Sequence, residues 1–225
     1  MRRRSFRRDQ RGAAVVEAAL VLPAIVALLF GMLEMGLYFK DTLTVSEATK
    51  DGAHVGAEYA QDPGADYYIL QQIQHMSLNG IVQEVIVYDA ANVNPANQAA
   101  QNVPAGCVSS ATGVSVSYTD SSGVLHNAGA IGSCNVYIAA NGDFNHPLSD
   151  FTSGNFANSQ HWPGSIRLQN TTDTRYLTGV NQQAGNGPDF IGVWVKTTHN
   201  WMTGFVSTRP TTITDQAVFR IEPRQ

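Results

Sequence analysis

Catalytic signatures are missing from this sequence. It contains no G-x-S-x-G elbow, no glycine-rich phosphate loop and no Ser-x-x-Lys arrangement. Its six histidines, His54, His75, His126, His146, His161 and His199, include no i, i+4 pair and no H-E-x-x-H. No zinc site or acid–base pair follows from such spacing. The stretch "GDFNHPLSD" (142–150) gathers two aspartates, an asparagine and a histidine. It lacks the alternating oxygen ligands of a calcium loop and reads as a polar turn. Asp62 and Asp66 flank a helix start, where carboxylates suit the helix dipole without a catalytic role. The expectation is a protein that is not an enzyme and carries no cofactor or metal.

Charge is scarce as well, at 14% of residues, and it is unevenly placed. Residues 1–12 hold six arginines against Asp9, a net of +5, while the rest holds eight basic and seventeen acidic side chains, a net of −9. A basic head, an apolar stretch and an acidic body form the layout of a membrane protein whose head lies in the cytoplasm. The arginine run abuts the apolar stretch, and no basic helix or aromatic reader follows it, so nucleic-acid binding is not expected. The apolar segment Ala13 to Phe39 has 27 residues. As a helix it would span ~40 Å, more than the ~30 Å hydrocarbon core requires. No second stretch competes: "IVQEVIVYDAA" (81–91) is too short, and "FIGVWV" (190–195) reads as a buried strand. One span through the inner, cytoplasmic membrane is expected, with the C-terminal body extracytoplasmic.

Two export signals could produce a similar head. A secretory signal would end in a small-x-small cleavage site, but here the run ends in "GMLEMGLYFKD" with Glu34 and large side chains. The stretch "RRSFRR" (3–8) is twin-arginine-like, yet the apolar segment is long for such a signal. Neither explains Glu17, a carboxylate within an apolar run, which would cost ~2.5–3.5 kcal/mol at mid-membrane. Glu17 therefore either has a partner or lies shallow and snorkels to the interface. Glu34, ~26 Å further along the helix, reads as a marker of the outer edge of the span.

Glu17 is the fifth residue after Gly12, and only small or apolar residues lie between. This resembles a type IV prepilin cleavage site: glycine, then a mature chain with glutamate fifth and a long apolar helix. The resemblance implies a prepilin peptidase cutting between Gly12 and Ala13, where a residue without a side chain lets the backbone approach closely. It also implies a new amine at Ala13 that pairs with the glutamate of a neighbouring subunit. A wider stretch resembles the TadE-like family of tight-adherence pilus assembly proteins. The family's order of R-G-x-x-x-V-E, proline, G-x-x-E and A-x-x-D-G-A falls on Arg11, Gly12, Val16, Glu17, Pro23, Gly31, Glu34, Ala48, Asp51, Gly52 and Ala53. The terminal "TDQAVFRIEP" looks like the closing strand of many such proteins. Two departures stand out: Ala18 where many related pilins have an aromatic, and Ala13 as the first mature residue.

Beyond the span the helical pattern continues from Lys40 to Ala60. Ala48, Gly52, Gly56 and Ala60 recur every fourth residue as a stripe of small side chains on one face. Two helical glycines cost ~1 kcal/mol each relative to alanine, so a close contact, with the chain's own sheet or with a neighbouring subunit, is expected to offset them. "QDPG" (61–64) ends the helix, and "ADYYILQQIQHMSL" (65–78) reads as a second. Five strands follow in "IVQEVIVYDA", "GVSVSYTD", "CNVYIAA", "DFIGVWVKTTHN" and "TTITDQAVFRIE", with "TDSSGVL" as a hairpin turn. The polar stretches 90–106 and 141–188 read as long loops. The expected class is α+β: a basic leader (1–12), a transmembrane helix (13–39), its extension (40–60) and a pilin-like extracytoplasmic domain (61–225) with an antiparallel sheet.

Cys107 and Cys134 are the only cysteines and lie 27 positions apart in the part assigned outside, so one disulfide is expected. Trp194 reads as core, whereas "HWPG" (161–164) and "NWMTGF" (200–205) are loop-borne candidates for adhesion or partner contact. "NTT" at Asn170 fits a glycosylation acceptor. Two functions remain. One is a TadE-like minor pseudopilin that packs with other pseudopilins in pilus assembly. The other is a solitary anchored module that binds a glycan or another envelope component through its loops.

Overall fold

The computed structural model describes residues 9–59, 62–76, 81–90, 102–103, 105–108, 118–119, 125–126, 134–152, 190–204 and 206–221. Helix α1 runs through Asp9–Glu58, 50 residues without interruption, with Pro23 inside it. Proline removes one helical N–H, a loss that spanning helices tolerate where local adjustments re-satisfy the freed carbonyl. The chain divides into two compact units: residues 1–40 with 200–211, and 41–199 with 212–225.

The larger unit is α+β. It is built on a four-stranded antiparallel sheet in the order β4-β1-β5-β6, from Cys134–Ile138, Ile81–Asp89, Phe190–His199 and Thr211–Arg220. Strand β1 runs antiparallel to both neighbours, with Tyr88 opposite Cys134 on one side and Gly192 on the other. Glu84 to Tyr88 are all buried, as expected of a β-branched run covered on both faces. On one face Ile86, Tyr88, Cys107, Cys134, Val136 and Trp194 form a core cluster. Gly192 is what lets the Tyr88 ring lie flat there: a Cβ at 192 would stand 2.1 Å from Tyr88 Cζ. Burial of the phenol pushes its pKa up to about 12.

Helix α2 (Ala65–His75) follows a turn in which Gly64 N–H donates to Asp62 Oδ1 at 2.7 Å. Its Ile69, Leu70 and Ile73 are buried, at the spacing of a single apolar face. Asp66 does more than complement the dipole. It is buried, and its Oδ2 accepts from Asn135 Nδ2 and Tyr137 Oη on β4, each at 2.6 Å. Asn135 and Tyr137 alternate with the cluster residues Cys134 and Val136 along β4, so α2 lies on the opposite face of the sheet.

The remaining elements are short. They are α3 (Ala105–Val108), the strand pair β2 (Tyr118–Thr119) and β3 (Leu125–His126), two 3-10 turns at Ala139–Asn141 and Asp143–Asn145, and α4 (Leu148–Thr152). β2 and β3 pair antiparallel, Tyr118 opposite His126; the predicted turn between them lies outside the described residues, as does most of "GVSVSYTD".

Candidate functional site

The first half of α1 is apolar and long enough to cross a membrane, and its most apolar window buries nothing within the fold. Gly12, Ala13 and Glu17 are exposed, and Gly12, Gly31 and Gly36 have open space where a Cβ would point. Among the described residues no hydrogen bond or ion pair reaches Glu17. The peptide after Gly12 and the carboxylate five residues on therefore lie open along one lipid-compatible helix. A single N-terminal apolar helix of this kind fits a single-pass membrane protein.

Glu34, read from the sequence as the outer edge of the span, is bonded within the fold. It is only 2% exposed, because the segment between β5 and β6 closes over it within the smaller unit. Thr203 donates to Glu34 Oε1 through its backbone N–H and through Oγ1, the latter at 2.6 Å, while Oε2 is buried and accepts no hydrogen bond from the described residues. One turn on, Tyr38 stacks on Trp201 with ring centroids 5.6 Å apart, and Trp201 Nε1 donates to Thr211 Oγ1 at 2.9 Å. Trp201 thus belongs to this assembly rather than to a free loop.

The second half of α1 lies in the larger unit. Val45, Ala48, Ala53 and Ala57 are buried, as are Gly52 and Gly56. A Cβ on Gly52 would meet Ile73 Cγ1 at 3.0 Å, and one on Gly56 would meet Ile191 Cδ1 and Ile69 Cδ1 at 2.9 Å each. Isoleucines of α2 and β5 therefore occupy the stripe; Ala60 lies outside the described residues. Thr49 Oγ1 donates to Val45 O at 2.7 Å within the helix. At the head of this half, Asp41 Oδ2 and His199 Nδ1 are both buried and 2.6 Å apart. No spacing rule links positions 41 and 199, so sequence reasoning missed the pair.

Cys107 and Cys134 form a disulfide, with Cα atoms 6.4 Å apart, and both are buried in the core cluster. It ties α3 to β4 at the sheet's outer strand. Lys196 Nζ lies 3.3 Å from Glu84 Oε2. Burial raises the Glu84 pKa above the ordinary carboxylate value, with Lys196 opposing the shift.

Within "GDFNHPLSD", Asp143 accepts the Ile138 N–H and His146 meets Asp150, each at 2.8 Å. Among the described residues no group of three His, Cys, Asp or Glu side chains is arranged to hold a metal ion. Trp194 is buried, as expected. Trp162, Asn170 and the greater part of 90–106 and 141–188 lie outside the described residues.

No curated protein and no solved structure matches the chain. Residues 12–54, which carry the open glycine, both glutamates of the apolar half and two of the four stripe residues, match the family model described as TadE-like protein, and this match supports a general association with pilus assembly.

Proposed function

We propose that the chain is a minor pseudopilin of a tight-adherence pilus. In this reading it is anchored in the inner membrane with its basic leader in the cytoplasm, and its larger unit lies outside. Its role is structural, through helix packing. The observation that carries the reading is Glu17. An exposed carboxylate on an apolar helix, five residues beyond an unobstructed glycine, lacks a partner among the described residues of its own chain. In lipid such a carboxylate is costly without a counter-charge, and cleavage between Gly12 and Ala13 would supply one on a neighbouring chain. A prepilin peptidase and other pseudopilins are the partners that follow.

Intact-mass analysis of the membrane-extracted chain, from cells with an active prepilin peptidase, tests the processing step. A chain beginning at Ala13 is expected, and one beginning at Met1 would defeat processing. Glu17→Ala is expected to insert into the membrane normally and to enter the assembly several-fold less than wild type. Incorporation equal to wild type would remove the pairing. Micromolar glycan binding by the extracytoplasmic part would instead favour the solitary binding module.

A further inference from the structure

We infer that the segment joining β5 to β6 is a second membrane contact: it docks on the outer leaflet of the bilayer and is held there by Glu34. This rests on α1 spanning the membrane and extends that reading to a part of the chain far away in sequence. The height comes first. Gly12 to Glu34 is 22 residues, or ~33 Å of helix, close to the ~30 Å hydrocarbon thickness. With the arginine head at the inner boundary, Glu34 and Tyr38 stand at the outer one. The segment meets both of these residues, through a Thr203 hydrogen bond to Glu34 and the Trp201 ring stacked on Tyr38.

Its chemistry suits that height. Residues 200–208, "NWMTGFVST", carry no charge, and Arg209 follows. Met202 is 78% exposed and Val206 46%, and the neighbouring helix residues Met32, Leu33 and Phe39 are exposed too. Exposed apolar side chains continuous with a spanning helix are what the acyl boundary accepts. A stacked Trp–Tyr pair belongs to the aromatic belt at the same level. Two polar groups that would resist desolvation have partners within the unit, the Trp201 indole N–H with Thr211 and Glu34 Oε1 with Thr203. Glu34, bonded to the segment twice through Oε1, is the latch that fixes it at the lipid surface.

The test uses the full chain carrying Met202→Cys, an exposed position, labelled with an environment-sensitive fluorophore. The two native cysteines are engaged in the disulfide and do not label. The protein is reconstituted in phosphatidylcholine–phosphatidylglycerol vesicles with or without acyl-brominated lipid. A blue-shifted emission quenched roughly twofold by bromolipid, at every protein-to-lipid ratio, is the expected result for a probe at the acyl boundary. Emission typical of water and insensitive to bromolipid would overturn the inference. A blue shift seen only at high protein-to-lipid ratio would also overturn it, because a second chain would then be the occupant. Combining Met202→Cys with Glu34→Ala is expected to abolish the quenching, and retention of full quenching would overturn the latch. A label at Leu20→Cys separates this inference from its premise: failure to quench there would sink the span itself.

Discussion

On the proposed reading helix α1 is one unbroken element in two solvents, and its two halves show what each demands. From Gly12 to Phe39 most large apolar side chains are exposed, and glycines 12, 31 and 36 have open space where a Cβ would stand. From Asp41 to Glu58 the same kind of residue is crowded: Gly52 and Gly56 are pressed by Ile69, Ile73 and Ile191. The glutamates differ in the same way. Glu17 is open, whereas Glu34 is enclosed by Thr203. Small residues in the first half therefore leave room for something outside this chain, and in the second half they make room for the chain's own body.

Replacing both cysteines by serine strikes only the body. The chain-entropy model puts the loss at ~3–4 kcal/mol for a loop of this length. Urea unfolding of the full chain in detergent, followed by near-ultraviolet circular dichroism, will show an earlier body transition, while the helical signal of the span persists. Gly56→Leu forces a large side chain against Ile69 and Ile191 and is expected to cost ~3 kcal/mol by overpacking. Gly31→Leu and Gly36→Leu in the same assay are expected to leave the midpoint unchanged, so an equal loss in all three would break the contrast between the halves.

Asp41→Ala removes one partner of a buried pair and will lower body stability by ~2 kcal/mol, measured by the same urea transition. The smallest effect is at Glu84. Its folded pKa is raised, so its favourable contribution is full below the ordinary carboxylate value and is lost as pH rises through the folded pKa. Glu84→Gln is therefore expected to raise stability slightly at neutral pH and to lose that advantage on acidification. A stability difference that grows on acidification would contradict the sign.

Much of this was legible from local patterns. Hydropathy located the span, the every-fourth-residue stripe located the crowded half, and β-branched runs located β1, β5 and β6. Local rules reach only as far as neighbours along an element. Glu34 and Thr203 are 169 positions apart, Asp41 and His199 are 158 apart, and Asp66 and Asn135 are 69 apart. Each pair is made by chain topology, which periodicity does not encode. Glu34 was visible as part of a motif but not as a buried, bonded carboxylate, because its partner lies in a loop with no regular pattern. Gly192 was equally opaque, since only the register opposite Tyr88 gives it a purpose.

Hydrogen–deuterium exchange of the full chain in lipid nanodiscs, across a urea series, tests the two-solvent account of α1 most directly. The account predicts that residues 41–58 lose protection together with β1 and β5 as the body unfolds. Residues 13–33, held by lipid, will stay protected at the same urea concentrations. Loss of protection along the whole helix in one step would contradict it, as would retention along all of it after the sheet has opened.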